Sequence, residues 1–280
     1  MLSERQSEIV TGSLLGDGMI WTNNLPGCVN KFSVSQSKFD HIDCDKKSYL
    51  LWYVSEFMEF GCSVRPRRTE ARGILCRGVS KIFDSYVFTT RCDLMWNTWE
   101  AKWYKPIQHA HWKRRKIVPL DIKLTPLTFC VWYMEDGSNY AKDANITMET
   151  QCFTESEVEF LIDRLKEDLN ISATKKKTKK PHQFRIYIGR ESYFNAIEIA
   201  KSIVQWSCFK YKLDTSAYTK KPHRGDNHSS SKLTEEQARE ALSLKGVLKQ
   251  KEVAKKFGVS QPTIAMLFGG KRWKHLQECI

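Results

Sequence analysis

The sequence predicts an α+β fold in which one αββαββ unit occurs twice and a small all-α module follows. Two apolar helical segments with the same layout each end at an Asp-Gly pair, Asp17-Gly18 and Asp136-Gly137, 119 residues apart. The elements after each pair come in the same order. Beyond residue 232, three short amphipathic segments stand behind a polar stretch.

The first helix opens at Ser3, with Gln6 in capping-box spacing, continues on a helical period through Ile9, Val10, Ser13 and Leu14, and stops at Gly16 or Gly18. Its copy starts at Thr125 as N-cap with Pro126 in the first turn and stops at Glu135-Asp136-Gly137. An alternating strand-like stretch follows each, Lys31 to Ser37 and Asn145 to Gln151. Long amphipathic helices are expected over Asp45 to Phe60 and, with Thr154 and Glu157 as capping box, over Glu155 to Leu169. Paired strand runs come next, Ser63–Arg68 with Lys81–Thr89 and Ile171–Lys176 with Gln183–Ile188, and each half closes on a helix, Asp93–Tyr104 or Glu191–Val204. Strands in adjacent pairs argue against a doubly wound parallel sheet. The expected organisation is a first half over 1–120, a second over 121–213, a linker over 214–232 and a terminal module over 233–280. In that module Thr234 and Gln237 cap one helix, Lys249 to Phe257 is a second, and Gly258 makes a turn. Ser260 with Pro262 opens a third helix, and Val253, Ala254, Phe257, Val259, Ile264 and Leu267 have the spacing of a three-helix core.

The formal net charge is +13, and residues 172–190 hold seven Lys or Arg with no Asp or Glu. Such a field attracts polyanions, because each Lys or Arg that neutralises a phosphate releases a counterion. No basic amphipathic helix with an aromatic stripe accompanies the charge, so a membrane partner is not expected. No uncharged apolar run approaches the roughly 20 residues that a bilayer span needs, and the N-terminus lacks the layout of a signal peptide. The expectation is an intracellular protein, cytoplasmic or organellar. Nine cysteines, an odd number without a CxxC pair, read as reduced thiols. His41 with Cys44, and His109 with His111, have metal-like spacing but no second pair at zinc-finger distance.

Asp17 and Asp136 carry the chemistry. Each sits just past an apolar helix, so packing the two helices side by side brings both carboxylates to one end, and small residues at Thr11, Gly12 and Gly16 permit close approach. Paired carboxylates repel unless a divalent ion lies between them, and a divalent ion is what phosphodiester hydrolysis near neutral pH requires. Gly16 and Glu135, the neighbours of the two acids, complete the candidate metal set.

Val10 to Gly18 (VTGSLLGDG) and Phe129 to Gly137 (FCVWYMEDG) resemble the two signature motifs of single-chain LAGLIDADG homing endonucleases, and the likeness extends over roughly residues 3–213. The resemblance implies two αββαββα halves with saddle-shaped antiparallel sheets lying in the DNA major groove, a motif-helix interface, and the last acid of each motif, Asp17 and Asp136, binding catalytic Mg²⁺, with Mn²⁺ able to substitute. It also implies a polar residue near each centre, placed at Gln36 and Gln151, and a late lysine in each half, placed at Lys116 and Lys212. The second motif departs from the pattern with Val131 where a small residue is usual, which predicts looser helix packing, and with Glu135 before its acid.

Base reading falls to exposed strand residues: Lys31, Ser33, Ser35, Ser37, Arg65 and Arg67 in the first half, Lys175, Lys177, Arg185 and Tyr187 in the second. The choice depends on register, because one slipped residue inverts the list. The terminal segment is similar to helix-turn-helix modules, which implies Ser260, Gln261 and Thr263 at base edges and Lys271, Arg272 and Lys274 at phosphates. The expected activity is that of a monomer cutting a long, asymmetric double-stranded DNA site. The rivals are an RNA-splicing maturase of the same ancestry, which holds intron RNA, and a non-cleaving DNA-binding regulator. Retention of both acids argues against either as the sole role.

Overall fold

A computed structural model describes residues 1–22, 29–37, 46–71, 81–107, 114–204, 206–218, 231–273 and 276. It divides into two compact units, Met1–Tyr218 and Thr219–Ile280.

The first unit carries the repeat. Its first half runs α1 (Glu4–Leu15), β1 (Met19–Trp21), β2 (Lys31–Ser37), α2 (Lys47–Glu56), β3 (Ser63–Ala71), β4 (Lys81–Thr89) and α3 (Met95–Trp103). A two-stranded ribbon, β5 (Tyr104–Pro106) and β6 (Arg114–Lys116), leads to the second half. That half runs α4 (Pro126–Asp136), β7 (Gly137–Tyr140), β8 (Asn145–Glu149), α5 (Glu155–Leu169), β9 (Thr174–Lys177), β10 (Phe184–Ile188), α6 (Arg190–Ile203) and α7 (Lys210–Leu213). The sheets have matching strand orders, β1-β2-β4-β3 and β7-β8-β10-β9, with every pairing antiparallel.

The caps expected from the sequence are formed. Ser3 accepts from the Gln6 amide and Gln6 returns a bond to Ser3; Thr125 accepts from the Thr128 amide; Thr154 and Glu157 repeat the reciprocal pattern. Helix α2 is shorter than its periodicity suggested. It ends at Glu56, and the remainder tightens into a 3-10 turn over Met58–Phe60 that stops at Gly61 in the left-handed conformation (φ 58°). Strands β1, β7, β5 and β6 are too short, at three or four residues, to show a period of two.

Helices α1 and α4 pack together. Residues Leu127 to Met134 are all buried, so α4 is apolar on every side because protein surrounds it. Gly12 makes the crossing tight: a Cβ there would lie 2.5 Å from the Thr128 carbonyl oxygen and 2.9 Å from Val131 Cβ. Position 131 is the repeat equivalent of position 12. Val131 therefore does not loosen the interface, because the space it fills is the space that Gly12 leaves. The first half packs its sheet with aromatic rings: Phe32 stacks on Trp96 at 5.4 Å and meets Phe88 edge-on at 6.0 Å. In the second half Ile146, Met148, Ile186 and Ile188 are fully buried and take that role with aliphatic volume.

The second unit holds α8 (Glu235–Ser243), α9 (Gln250–Lys256) and α10 (Gln261–Phe268). Val253, Ala254, Ile264 and Leu267 are buried in its own core with Phe257 and Val259 packed on it, and Gly258 (φ 65°) makes the turn between α9 and α10. Cys62, Cys92, Cys130, Cys152 and Cys208 are free thiols. His41, Cys44, His109 and His111 lie outside the described residues, and among those described no helix is long and apolar enough to cross a membrane.

Candidate active site

The C-terminal ends of α1 and α4 deliver Asp17 and Asp136 to one place, close enough that Asp136 feels the charge of Asp17. Burial and then the charge of Asp17 push the Asp136 carboxyl up to about 7, against the pull of Lys116 and Lys212. Asp17 keeps an exposed edge but is crowded by protein on its other sides. Desolvation raises its pKa, opposed by a hydrogen bond from Gln36 and by the charges of Lys212, Lys46 and Lys116. Gln36 Nε2 donates to Asp17 Oδ2 at 2.6 Å.

The two late lysines each reach the C-terminal end of a motif helix, through different carbonyls. Lys116 Nζ donates to the carbonyls of Gly16 (3.0 Å) and Gly18 (2.8 Å), on either side of Asp17. Lys212 Nζ donates to the carbonyls of Tyr133 (3.2 Å) and Met134 (2.6 Å), at the last turn of α4. Each ammonium adds hydrogen bonds to carbonyls where its motif helix ends and sits at the negative end of the helix dipole. Burial lowers the pKa of Lys116.

The secondary metal candidates are otherwise engaged. The carbonyl of Gly16 accepts from Lys116, and Glu135 turns into the helix interface, where hydroxyls and an amide occupy both of its oxygens. Gln151 is displaced from the role expected of it. Met19 pairs with Ser33 and Ile20 with Phe32, a register that continues to set Gly18 opposite Val34; in the second half Gly137 pairs with Met148. Val34 and Met148 are thus equivalent, and Gln36 corresponds to Thr150. Thr150 is buried and donates to the Phe184 carbonyl at 2.9 Å, while Gln151 points to the other face and donates to Glu149.

The outward sheet faces show the same sensitivity to register. In the first half Phe32, Val34 and Gln36 face the core, while Lys31, Ser33, Ser35 and Ser37 face outward with Arg65 and Arg67, which align with Ser35 and Ser37 through Val87 and Ser85. Ser33 is nevertheless covered, its hydroxyl given to the Phe88 carbonyl at 3.0 Å. Met19 and Trp21 extend this face, with Lys31 Nζ 5.4 Å from the Trp21 ring centre. In the second half Arg185 and Tyr187 face outward, but Lys175 and Lys177 do not. They pair with the inward residues Ile186 and Phe184, and Lys175 is bound by Glu155 and Glu159 on α5. The outward lysine is Lys176, 3.0 Å from the Tyr187 ring centre. The lysine run has no apolar residue to mark its phase, so periodicity could not place it; pairing Lys176 with Arg185 would have done so.

The LAGLIDADG DNA endonuclease family profile matches residues 7–194. The chain belongs to that family. It is 34% identical over 132 residues to the cytochrome b mRNA maturase bI2 of Saccharomyces cerevisiae, an alignment covering 43% of this chain and 30% of the relative. It is 30% identical over 124 residues to the maturase of the same name from Debaryomyces hansenii, covering 43% of this chain and 46% of the relative. The chain thus spans less than half the length of the curated relatives it matches. Its fold is similar to that of the homing endonuclease I-WcaI bound to its DNA recognition sequence, with a TM-score of 0.59, 23% identity, and coverage of 76% of this chain and 88% of that one.

In this LAGLIDADG chain the three-helix unit lies beyond the residues of the family match. Ser260 stands at the N-terminus of α10 without a capping bond from its side chain, its hydroxyl 2.9 Å from that of Thr263; Gln261, Lys271 and Arg272 are exposed and Thr263 is half-buried. Lys274 lies outside the described residues.

Proposed function

We propose that this LAGLIDADG protein is a site-specific endonuclease that hydrolyses double-stranded DNA with a divalent cation, Mg²⁺ or, in its place, Mn²⁺. The observation that carries the reading is the convergence of Asp17 and Asp136 at the paired ends of α1 and α4, each desolvated and the Asp136 carboxyl pushed up to about 7. Two such carboxylates fit a divalent cation, whose charge offsets their repulsion and their loss of water. Asp17 and Asp136 would hold it. Two carboxylates leave most of an octahedral shell to water and substrate phosphate, which suits Mg²⁺. When bound, the cation supplies Lewis acidity at the phosphate and lowers the pKa of coordinated water.

The protein side chains do the positioning. Gln36 orients the Asp17 carboxylate, while Lys116 and Lys212 fix the backbone on which each acid stands and offset negative charge at the centre. The outward faces of the two sheets, with Lys31, Ser35, Ser37, Arg65 and Arg67 in one half and Lys176, Arg185 and Tyr187 in the other, supply phosphate and base contacts. The second unit adds a contact beyond the cleavage site through Ser260, Gln261, Thr263, Lys271 and Arg272.

Selection from a randomised double-stranded DNA library tests this, with wild type and Asp17→Asn/Asp136→Asn, in Mg²⁺ and in Ca²⁺. Sequence-selective cuts that need Mg²⁺ and vanish in the double variant support it; enrichment by binding without cutting in any divalent cation sinks it. A second reading, an RNA-splicing maturase, has the two curated relatives in its favour. Binding and splicing of an intron-containing precursor RNA that survive in the double variant would support that role.

A further inference from the structure

Glu135 occupies the place in the second motif that Gly16 occupies in the first, and its environment is not that of a metal ligand. Oε1 accepts from the hydroxyls of Tyr49 (3.0 Å) and Tyr53 (2.8 Å) on α2. Oε2 accepts from the backbone amide of Asp17 at 2.8 Å, and the Ser13 hydroxyl lies 3.1 Å from both oxygens. Four donors thus meet the roughly four lone-pair sites of one carboxylate. All four belong to the first half, whereas Glu135 belongs to the second.

The bond to Asp17 matters most. Gly16 and Gly18 both donate to the Ser13 carbonyl, whereas the Asp17 amide leaves the helix ladder and goes to Glu135. Without Glu135 that donor loses its protein acceptor where α1 ends. Gly16 completes the fit, since a Cβ there would sit 2.8 Å from both Glu135 Cβ and Oε2. The clasp is one-sided, because Gly16 has no side chain with which to do the same for Asp136.

We infer that Glu135 is the positioning residue of the Asp17 centre: a carboxylate from one half that fixes the backbone of the acid in the other. The first half therefore cannot set its own acid unaided. For cleavage, this rests on the endonuclease reading.

The test uses the full chain with Glu135→Gln, which keeps the volume but replaces an acceptor with an NH₂ group facing donors. The readouts are hydrogen exchange at the Asp17 amide, DNA affinity in Ca²⁺, and strand-resolved cleavage of supercoiled DNA in Mg²⁺. Loss of a bond to a charged acceptor predicts Asp17 exchange at least about tenfold faster and cleavage about tenfold slower, with affinity within about threefold. Nicked circles should accumulate, because the strand cut at the Asp17 centre lags. Gly16→Ala, which intrudes on the same carboxylate from the other side, should give the same strand bias. Should Glu135→Gln not fold, Tyr53→Phe, which removes one donor and keeps the acid, should show the same bias more weakly. A merely structural Glu135 would lower the melting temperature and leave the strand ratio alone. Unchanged Asp17 exchange, or faster exchange with both strands cut at the wild-type ratio, overturns the assignment. If the wild type cuts no DNA, the endonuclease reading fails, and Asp17 exchange alone decides for or against the clasp.

Discussion

Asp17 and Asp136 stand at equivalent points of two copies of one unit, and their surroundings have diverged. Asp17 is held twice, by Gln36 at its carboxylate and by Glu135 at its amide. Around Asp136 the glutamine place belongs to Thr150, which is turned into the sheet, and Glu149 adds negative charge. One lysine per half grips the motif-helix carbonyls in both cases. The repeat thus conserves what the helix ends need and varies what surrounds each acid. Backbone groups impose the same demand in both halves, whereas side chains around the two acids are free to differ.

The sharpest way to break the comparison is to remove each acid separately. Asp17→Asn and Asp136→Asn should each slow cleavage by about 10³-fold or more, since several kcal/mol of charge stabilisation is at stake, with DNA affinity in Ca²⁺ retained. A variant that cuts at the wild-type rate would remove its acid from the site.

Gly12 and Val131 offer a stability version of the same contrast. Gly12→Val pushes a side chain into the Thr128 carbonyl and Val131, and should destabilise the first unit by about 3 kcal/mol, the upper end of ordinary overpacking. Val131→Gly leaves a gap instead, and the two together should lose less than the sum of the singles. Additive losses in chemical denaturation would show that the two positions do not share one space.

Gln36→Ala should cost about tenfold in rate at the Asp17 centre, by loss of a bond to a charged group, while Thr150→Ala changes cleavage at the Asp136 centre by less than about threefold. Equal effects in strand-resolved kinetics would contradict the register argument that separates the two positions.

The acid pair also predicts a pH dependence. Asp136 is pushed up to about 7, by burial first and then by the charge of Asp17; burial and the charge of Asp17 also raise Glu135, against the Tyr53 and Tyr49 hydroxyls that favour its ionised form. Folded-state values above the unfolded ones mean that the folded protein holds more protons. The stability from these groups is therefore complete below about pH 4 and, for Asp136, lost as pH rises through about 7. Without metal, the melting temperature should fall between pH 6 and 8. Mg²⁺ should restore more of it at pH 8 than at pH 6, and a flat metal-free profile would refute the coupling.

The smallest expected effect separates neighbouring lysines. Lys176→Ala should reduce the slope of log affinity against log salt by about 1, and Lys175→Ala should leave it unchanged, because Lys175 is already bound by Glu155 and Glu159.

Much of this was legible beforehand because it is local. Capping residues, apolar periods, the Asp-Gly stops and the spacing of the two copies are properties of short stretches of chain, and α1, α4, α5 and both acids follow from them. The four short strands were not, since three or four residues carry no period. The outward face in the second half was misread at Lys175 and Lys177 because a run of lysines has no apolar residue to mark its phase.

The sequence by itself determined the repeat, the helix ends and the two acids, since hydrogen bonding and burial along a few neighbouring residues suffice to set them. Only the tertiary structure decided what surrounds those acids. Glu135 meets Asp17 across 118 residues and Lys116 meets Gly16 across 100, contacts that exist because α1 and α4 pack at Gly12. The direction in which Glu135 points, into a set of hydroxyl and amide donors from the first half, follows from that packing, which no spacing within one segment encodes.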